Sequence, residues 1–170
     1  VNDIKPAFDR NPHYVTVSPS GHREKQSGLE NHGFFGMGIK KGMKYDFSIY
    51  ARLNLLQGKS TKFRVELVGE DDVPICQDTI VVTNNQWQKY TATLSSDKTI
   101  EKAFMRIFLM SGESVDLDHI SLMPQDNWHG MRADLVNDLA DLHPGIFRFP
   151  GGCIVEGTDL ETRYQWKNTV

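Results

Sequence analysis

The chain has 170 residues, with 19 basic against 22 acidic side chains, a net charge of -3, and 39% hydrophobic and 24% charged residues. That composition suits a globular protein with a real core rather than a disordered one, and a weakly negative balance supplies no broad positive field to track phosphates, so no nucleic-acid partner is expected. No apolar run approaches the roughly 18 to 20 residues that cross a bilayer as a helix, and residues 1–10 lack the basic and apolar regions of a signal peptide, so no membrane partner is expected and any export signal lies outside this sequence.

From about Tyr14 to Met123 the chain reads as short alternating segments punctuated by Gly33, Gly42, Gly58, Gly69, Asn84-Asn85 and Gly112. Strands are predicted over 34–40, 44–53, 62–68, 73–82, 87–94, 103–110 and 115–123. In 44–53, Tyr45, Phe47, Ile49, Ala51 and Leu53 share one face, and Lys44, Asp46, Ser48, Tyr50 and Arg52 share the other. The segment 62–68 repeats the pattern, with Phe63, Val65 and Leu67 opposed to Lys62, Arg64 and Glu66. With no helical period before Pro124, the expected fold is mostly β, an antiparallel jelly-roll β-sandwich.

After Pro124 the period changes. Met131, Leu135, Val136, Leu139 and Leu142 recur at helical spacing, His143-Pro144-Gly145 stops the helix, residues 146–149 are predicted as a short strand, and Pro150-Gly151-Gly152 turns out of it. A helix feeding a short strand and a Gly-rich loop belongs to an α/β architecture, so two domains are expected, a sandwich over 1–125 and a second piece over 126–170. Cys76 and Cys153 fall one in each and are expected as free thiols.

If the strands 44–53, 62–68 and 103–110 lie side by side, Tyr50, Arg52, Arg64, Glu66, Arg106 and Phe108 share one polar face. Aromatic platforms beside hydrogen-bonding groups are what sugar sites use, so this face is a candidate glycan groove; the alternatives are a plain solvated sheet and a face covered by another domain. Trp87 and Tyr90 read as packing residues, and Glu70-Asp71-Asp72 as a charged turn. The histidines show no metal-ligand spacing.

The core FRFPGGCIVEG followed by RYQW, within 131–166, resembles a segment near the start of the catalytic barrel in family fifty-one α-L-arabinofuranosidases. The upstream NPHYVTVSPSG and GLENHGFFGMGIKKGMKYDFSIYAR resemble the carbohydrate-binding-module-like sandwich that some members carry ahead of that segment. The resemblance implies that 126–170 is a helix-strand fragment of a (β/α)8 barrel, and that the parent releases terminal arabinofuranosyl residues from arabinan or arabinoxylan with retention. Retention needs two carboxyl groups about 5 to 5.5 Å apart, and the resemblance places both glutamates downstream, so the chain alone is expected to be inactive. It further implies plant cell-wall arabinose-containing glycans and the remainder of the barrel as partners, an extracellular or periplasmic parent and no required cofactor.

By the same resemblance Arg148 corresponds to an arginine that contacts arabinose, with a structural ion pair as the alternative, and Gly151, Gly152 and Cys153 belong to the same substrate-binding loop. Cys153 stands where many members have an asparagine; a thiol is a weak donor, and a packed residue is the plainer reading. Glu156 and Glu161 are expected to be solvated or ion-paired. Asp116 and Asp118 resemble the acidic end of the last strand in carbohydrate-binding jelly rolls, where a structural calcium is often held, which makes Asp118 a candidate metal ligand.

Overall fold

The structure is a computed structural model that describes residues 1–20, 26–54, 59–148 and 151–165. It divides into two compact units, Val1–Asn127 and Trp128–Val170. In the first unit the strands run β1 (Val15–Val17), β2 (Gly28–Asn31), β3 (Met37–Ile39), β4 (Lys44–Leu53), β5 (Thr61–Val68), β6 (Pro74–Val82), β7 (Gln88–Ser95), β8 (Ile100–Ser111) and β9 (Val115–Pro124). They form a four-stranded sheet in the order β1-β9-β4-β7 and a five-stranded sheet in the order β2-β8-β5-β6, with β3 also on β8. Every pairing is antiparallel.

The alternation explains the sandwich. Tyr45, Phe47, Ile49, Ala51 and Leu53 of β4 are all buried, as are Phe63, Val65 and Leu67 of β5 and Ala103, Met105 and Ile107 of β8. These side chains from both sheets belong to one core cluster, as expected when each sheet turns its apolar side inward. Phe47 and Phe63 are 0% exposed, and truncating either to alanine should cost about 3 to 5 kcal/mol.

Two expectations are corrected. The strand predicted over 34–40 shrinks to β3, because Gly33 and Gly36 sit at φ 63° and 93° and turn the chain out of the sheet before Met37. The strand predicted over 146–149 is absent at 146–148, while Phe149 lies outside the described residues. A short strand needs an edge to pair with, and none of the described residues pairs with 146–148. The second unit holds α1 (Ala133–Asp141) and the short α2 (Cys153–Glu156). Helix α1 buries no residue, and its apolar stripe leaves Leu135, Leu139 and Leu142 exposed.

Candidate functional site

The polar face expected from the sequence is two faces. Tyr50 and Arg52 belong to β4 in the four-stranded sheet, whereas Arg64 and Glu66 on β5 and Arg106 and Phe108 on β8 belong to the five-stranded sheet. Both sheets turn their apolar residues into the shared core, so the two groups lie on opposite outer surfaces. Alternation tells which side of a strand is wet; it does not tell which sheet the strand joins.

On the four-stranded sheet the outer face is covered by the N-terminal segment. Arg52 donates through Nε to Asp116 Oδ2 at 2.9 Å, through Nη1 to the Lys5 carbonyl at 2.8 Å, and through Nη2 to the Ile4 carbonyl at 3.1 Å and Tyr14 Oη at 3.0 Å. Its guanidinium also lies over the rings of Tyr14 and Trp87, at 5.0 and 4.5 Å. Thr16 and Asn54 complete the shell by donating to Asp116 Oδ1 at 2.6 and 3.2 Å. Trp87 donates its indole N–H to the Lys5 carbonyl at 3.0 Å. Further along, Phe8 meets Tyr50 edge-on at 4.9 Å and lies 4.5 Å from the His119 ring. A cleft of about 740 Å³ remains, bounded by Asn2, Lys5, Tyr14, Asn54, Gln86 and Trp87.

That cluster bears on the calcium expected at Asp118. One Asp118 oxygen accepts the His119 amide at 2.7 Å and the other, Oδ2, is buried without a hydrogen-bond partner. The neighbouring carboxylate of Asp116 is already neutralised by Arg52. Among the described residues no three His, Cys, Asp or Glu side chains gather into a group that could hold a metal, so these residues do not fit a calcium site built from acidic side chains.

The five-stranded sheet is organised differently. Arg106 is the hub of an ion network, donating through Nε to Glu30 at 2.7 Å, through Nη1 to Glu66 at 3.3 Å and through Nη2 to Asp72. Donation from Arg106 holds the Glu30 carboxyl below its ordinary value, partly opposed by desolvation, and hydrogen bonding to Asp72 raises Arg106 above its own. Glu66 is buried under this network at 2% exposure. Phe108 is buried outside the core cluster, with the Arg64 guanidinium over its ring at 5.4 Å. His32 stacks on Phe104 at 4.6 Å, with Arg106 5.2 Å from the same ring.

In the second unit Arg148 pairs with Glu156 at 3.1 Å, with both side chains exposed. A Cβ on Gly151 would meet Arg148 Nε at 3.2 Å, and Gly152 takes φ 109°, so this loop is shaped by its glycines. Cys153 is exposed, which corrects the packed reading, and neither cysteine is in a disulfide. Burial pushes the Cys76 thiol up.

Sequence reasoning missed Tyr14, Thr16 and Asn54 around Asp116, and Glu30, His32 and Phe104 around Arg106. Tyr14 and Thr16 lie in a segment with little alternation; Thr16 meets Asp116 a hundred residues away, and Tyr14 reaches the cluster through Arg52. Glu30 lies in β2 and His32 just after it, and the only large apolar residue of that strand is Leu29. A usable signal was the crowding of Asn2, Lys5, Phe8 and Tyr14 into a segment otherwise read as irregular.

A jelly-roll sandwich with polar and aromatic side chains on its outer faces is the architecture of a carbohydrate-binding module. Residues 9–114 match the family model described as a carbohydrate binding domain; these are more than half of the chain, which therefore belongs to that family. Residues 138–170 match a second model, the alpha-L-arabinofuranosidase 1 domain. Along its whole length the chain is similar to α-L-arabinofuranosidases. It is 31% identical to an extracellular exo-α-L-arabinofuranosidase of Streptomyces chartreusis over 100% of this chain and 21% of the relative. It is 33% identical to α-L-arabinofuranosidase 2 of Arabidopsis thaliana over 84% of this chain and 22% of the relative. The solved structure of an arabinose-bound family 51 α-L-arabinofuranosidase superimposes with a TM-score of 0.80 at 27% identity, covering 99% of this chain and 28% of that one. The chain thus spans about a fifth of the length of the curated relatives it matches.

Proposed function

We propose that this chain is the sandwich and first barrel segment of an α-L-arabinofuranosidase, a retaining hydrolase that releases terminal arabinofuranosyl residues from arabinan and arabinoxylan. The observation that carries the reading is likeness along the whole chain, sandwich and tail together, to enzymes of that one activity. In the parent, Arg148 donates hydrogen bonds to sugar hydroxyls from a loop shaped by Gly151 and Gly152, with Cys153 beside them, and the Glu156 pair holds the guanidinium until substrate enters. The extracellular relative supports an extracellular parent.

Within the sandwich, the outer face of the five-stranded sheet is the glycan face. Arg64 supplies the donor, Phe108 the ring beneath it, and the Arg106–Glu66 pair a rigid floor. Tyr50 and Arg52 serve as a brace, because the chain's own N-terminal segment occupies them. A chromogenic arabinofuranoside tests the enzymatic part. The longer protein carrying this segment should turn it over and the 170-residue chain should not. Absence of arabinofuranosidase activity in the longer protein, or turnover by the purified chain, would overturn the proposal.

A further inference from the structure

Between β2 and β3 the chain makes a short excursion from one sheet edge and returns to the same neighbour, since both strands pair with β8. The excursion is built rather than loose. Asn31 Oδ1 accepts the Gly33 amide at 2.9 Å, Gly33 takes φ 63°, and Gly36 takes φ 93° with its absent Cβ only 2.7 Å from Lys102 Cα. At its tip Phe34 and Phe35 are 91% and 81% exposed. Their rings meet edge to face at 4.7 Å with an 83° interplanar angle, so together they make an open corner of two apolar surfaces.

Rings left in water forgo the free energy of burial, so the sandwich gains nothing from holding them there. Their surroundings narrow what they serve. His32 and Glu30 lie just upstream, and Glu30, Glu66 and Asp72 share the single guanidinium of Arg106. An apolar corner next to a dense set of acceptors and donors matches a ligand with a C–H face and a rim of hydroxyls. A protein partner would instead call for a broader apolar patch than two rings ringed by glycines and charges. The Arg106 cluster sets three carboxylates against one arginine, and Lys102, which lies against Gly36, is offset by its pair with Glu70, so the balance stays negative and disfavours an acidic sugar.

We propose that Phe34 and Phe35 are the stacking platform for one neutral sugar ring, at the edge of the five-stranded sheet, selecting neutral oligosaccharides over uronic-acid ones. This rests on the reading of the sandwich as a glycan-binding module.

The 170-residue chain is titrated with arabino-oligosaccharides, xylo-oligosaccharides and oligogalacturonides by calorimetry, beside the double variant Phe34→Ala, Phe35→Ala and the conservative Phe35→Tyr. The wild type binds a neutral oligosaccharide and the oligogalacturonide more weakly. The double variant loses about tenfold or more in affinity with an unchanged melting temperature, and Phe35→Tyr retains binding. If the wild type binds no oligosaccharide, the glycan reading of the sandwich falls and takes the platform with it. If the wild type binds and the double variant binds equally well, the glycan reading stands and the platform is overturned. If the double variant changes only self-association in sedimentation, the rings contact a second copy and the platform is likewise overturned.

Discussion

The two outer faces of the sandwich use arginine in opposite ways. On the four-stranded sheet Arg52 donates to a carboxylate, two carbonyls and a hydroxyl, all from its own chain. On the five-stranded sheet Arg64 lies over the Phe108 ring and forms no ion pair among the described residues. A guanidinium with four of its five N–H donors engaged inside the fold has little left for a ligand; one that rests on a ring keeps its donors for whatever arrives. Both arginines sit on the outward side of an alternating strand. What separates them is the segment 1–14, which folds over one face and not the other.

The largest effect that would sharpen this contrast is expected from Arg52→Ala. It strips the ion-pair partner from Asp116, whose side chain is 1% exposed, and removes one donor each from the Ile4 and Lys5 carbonyls, which keep those of Tyr14 and Trp87. Leaving a buried carboxylate unpaired should cost about 3 kcal/mol, read as a lower midpoint in chemical denaturation, with faster proteolysis inside residues 1–14. A midpoint close to wild type would mean that the covered face is held together by something other than this arginine.

Tyr50→Ala is expected to come next. The Tyr50 ring packs edge-on against Phe8 and lies 6.2 Å from His119, so its loss should cost about 1 kcal/mol and loosen the N-terminal segment without altering oligosaccharide affinity. Loss of glycan binding in a stably folded Tyr50→Ala protein would restore this face as a ligand surface and erase the contrast.

The division of legible from illegible follows the range of the interactions involved. Strand β4 was read from the sequence with the ends it has, because ten alternating residues carry their own evidence of which side is buried. Strands β1 and β2 were invisible because three and four residues carry too few alternations to register. The helix was legible from Met131, Leu135, Val136, Leu139 and Leu142, though the structure begins it at Ala133. The candidate face failed at the step where local pattern no longer suffices. Tyr50 and Arg64 both point away from the core, yet β4 pairs with β7 and β9 whereas β5 pairs with β6 and β8. That choice is made by long-range pairing, and neither strand's own residues announce it. Asp116 shows the same limit: its partner Arg52 comes from another strand 64 residues away, and nothing beside Asp116 in the sequence announces it.

The smallest stability change should accompany the largest functional one. Arg64→Ala removes a cation–π contact, worth about 0.5 to 1 kcal/mol when partly exposed, and leaves no buried charge behind because Arg64 neutralises none among the described residues. The melting temperature should therefore stay near that of the wild type, while affinity for arabino-oligosaccharides falls as the free donors disappear. Arg64→Lys separates charge from shape. An ammonium keeps the positive charge but loses the planar fork and its stacking on Phe108, so binding should remain weakened if hydroxyl recognition depends on several parallel donors, and should recover if charge alone suffices. Should Arg64→Ala instead unfold the sandwich as readily as Arg52→Ala, then Arg64 is a packing residue, and the five-stranded face is as much a brace as the other.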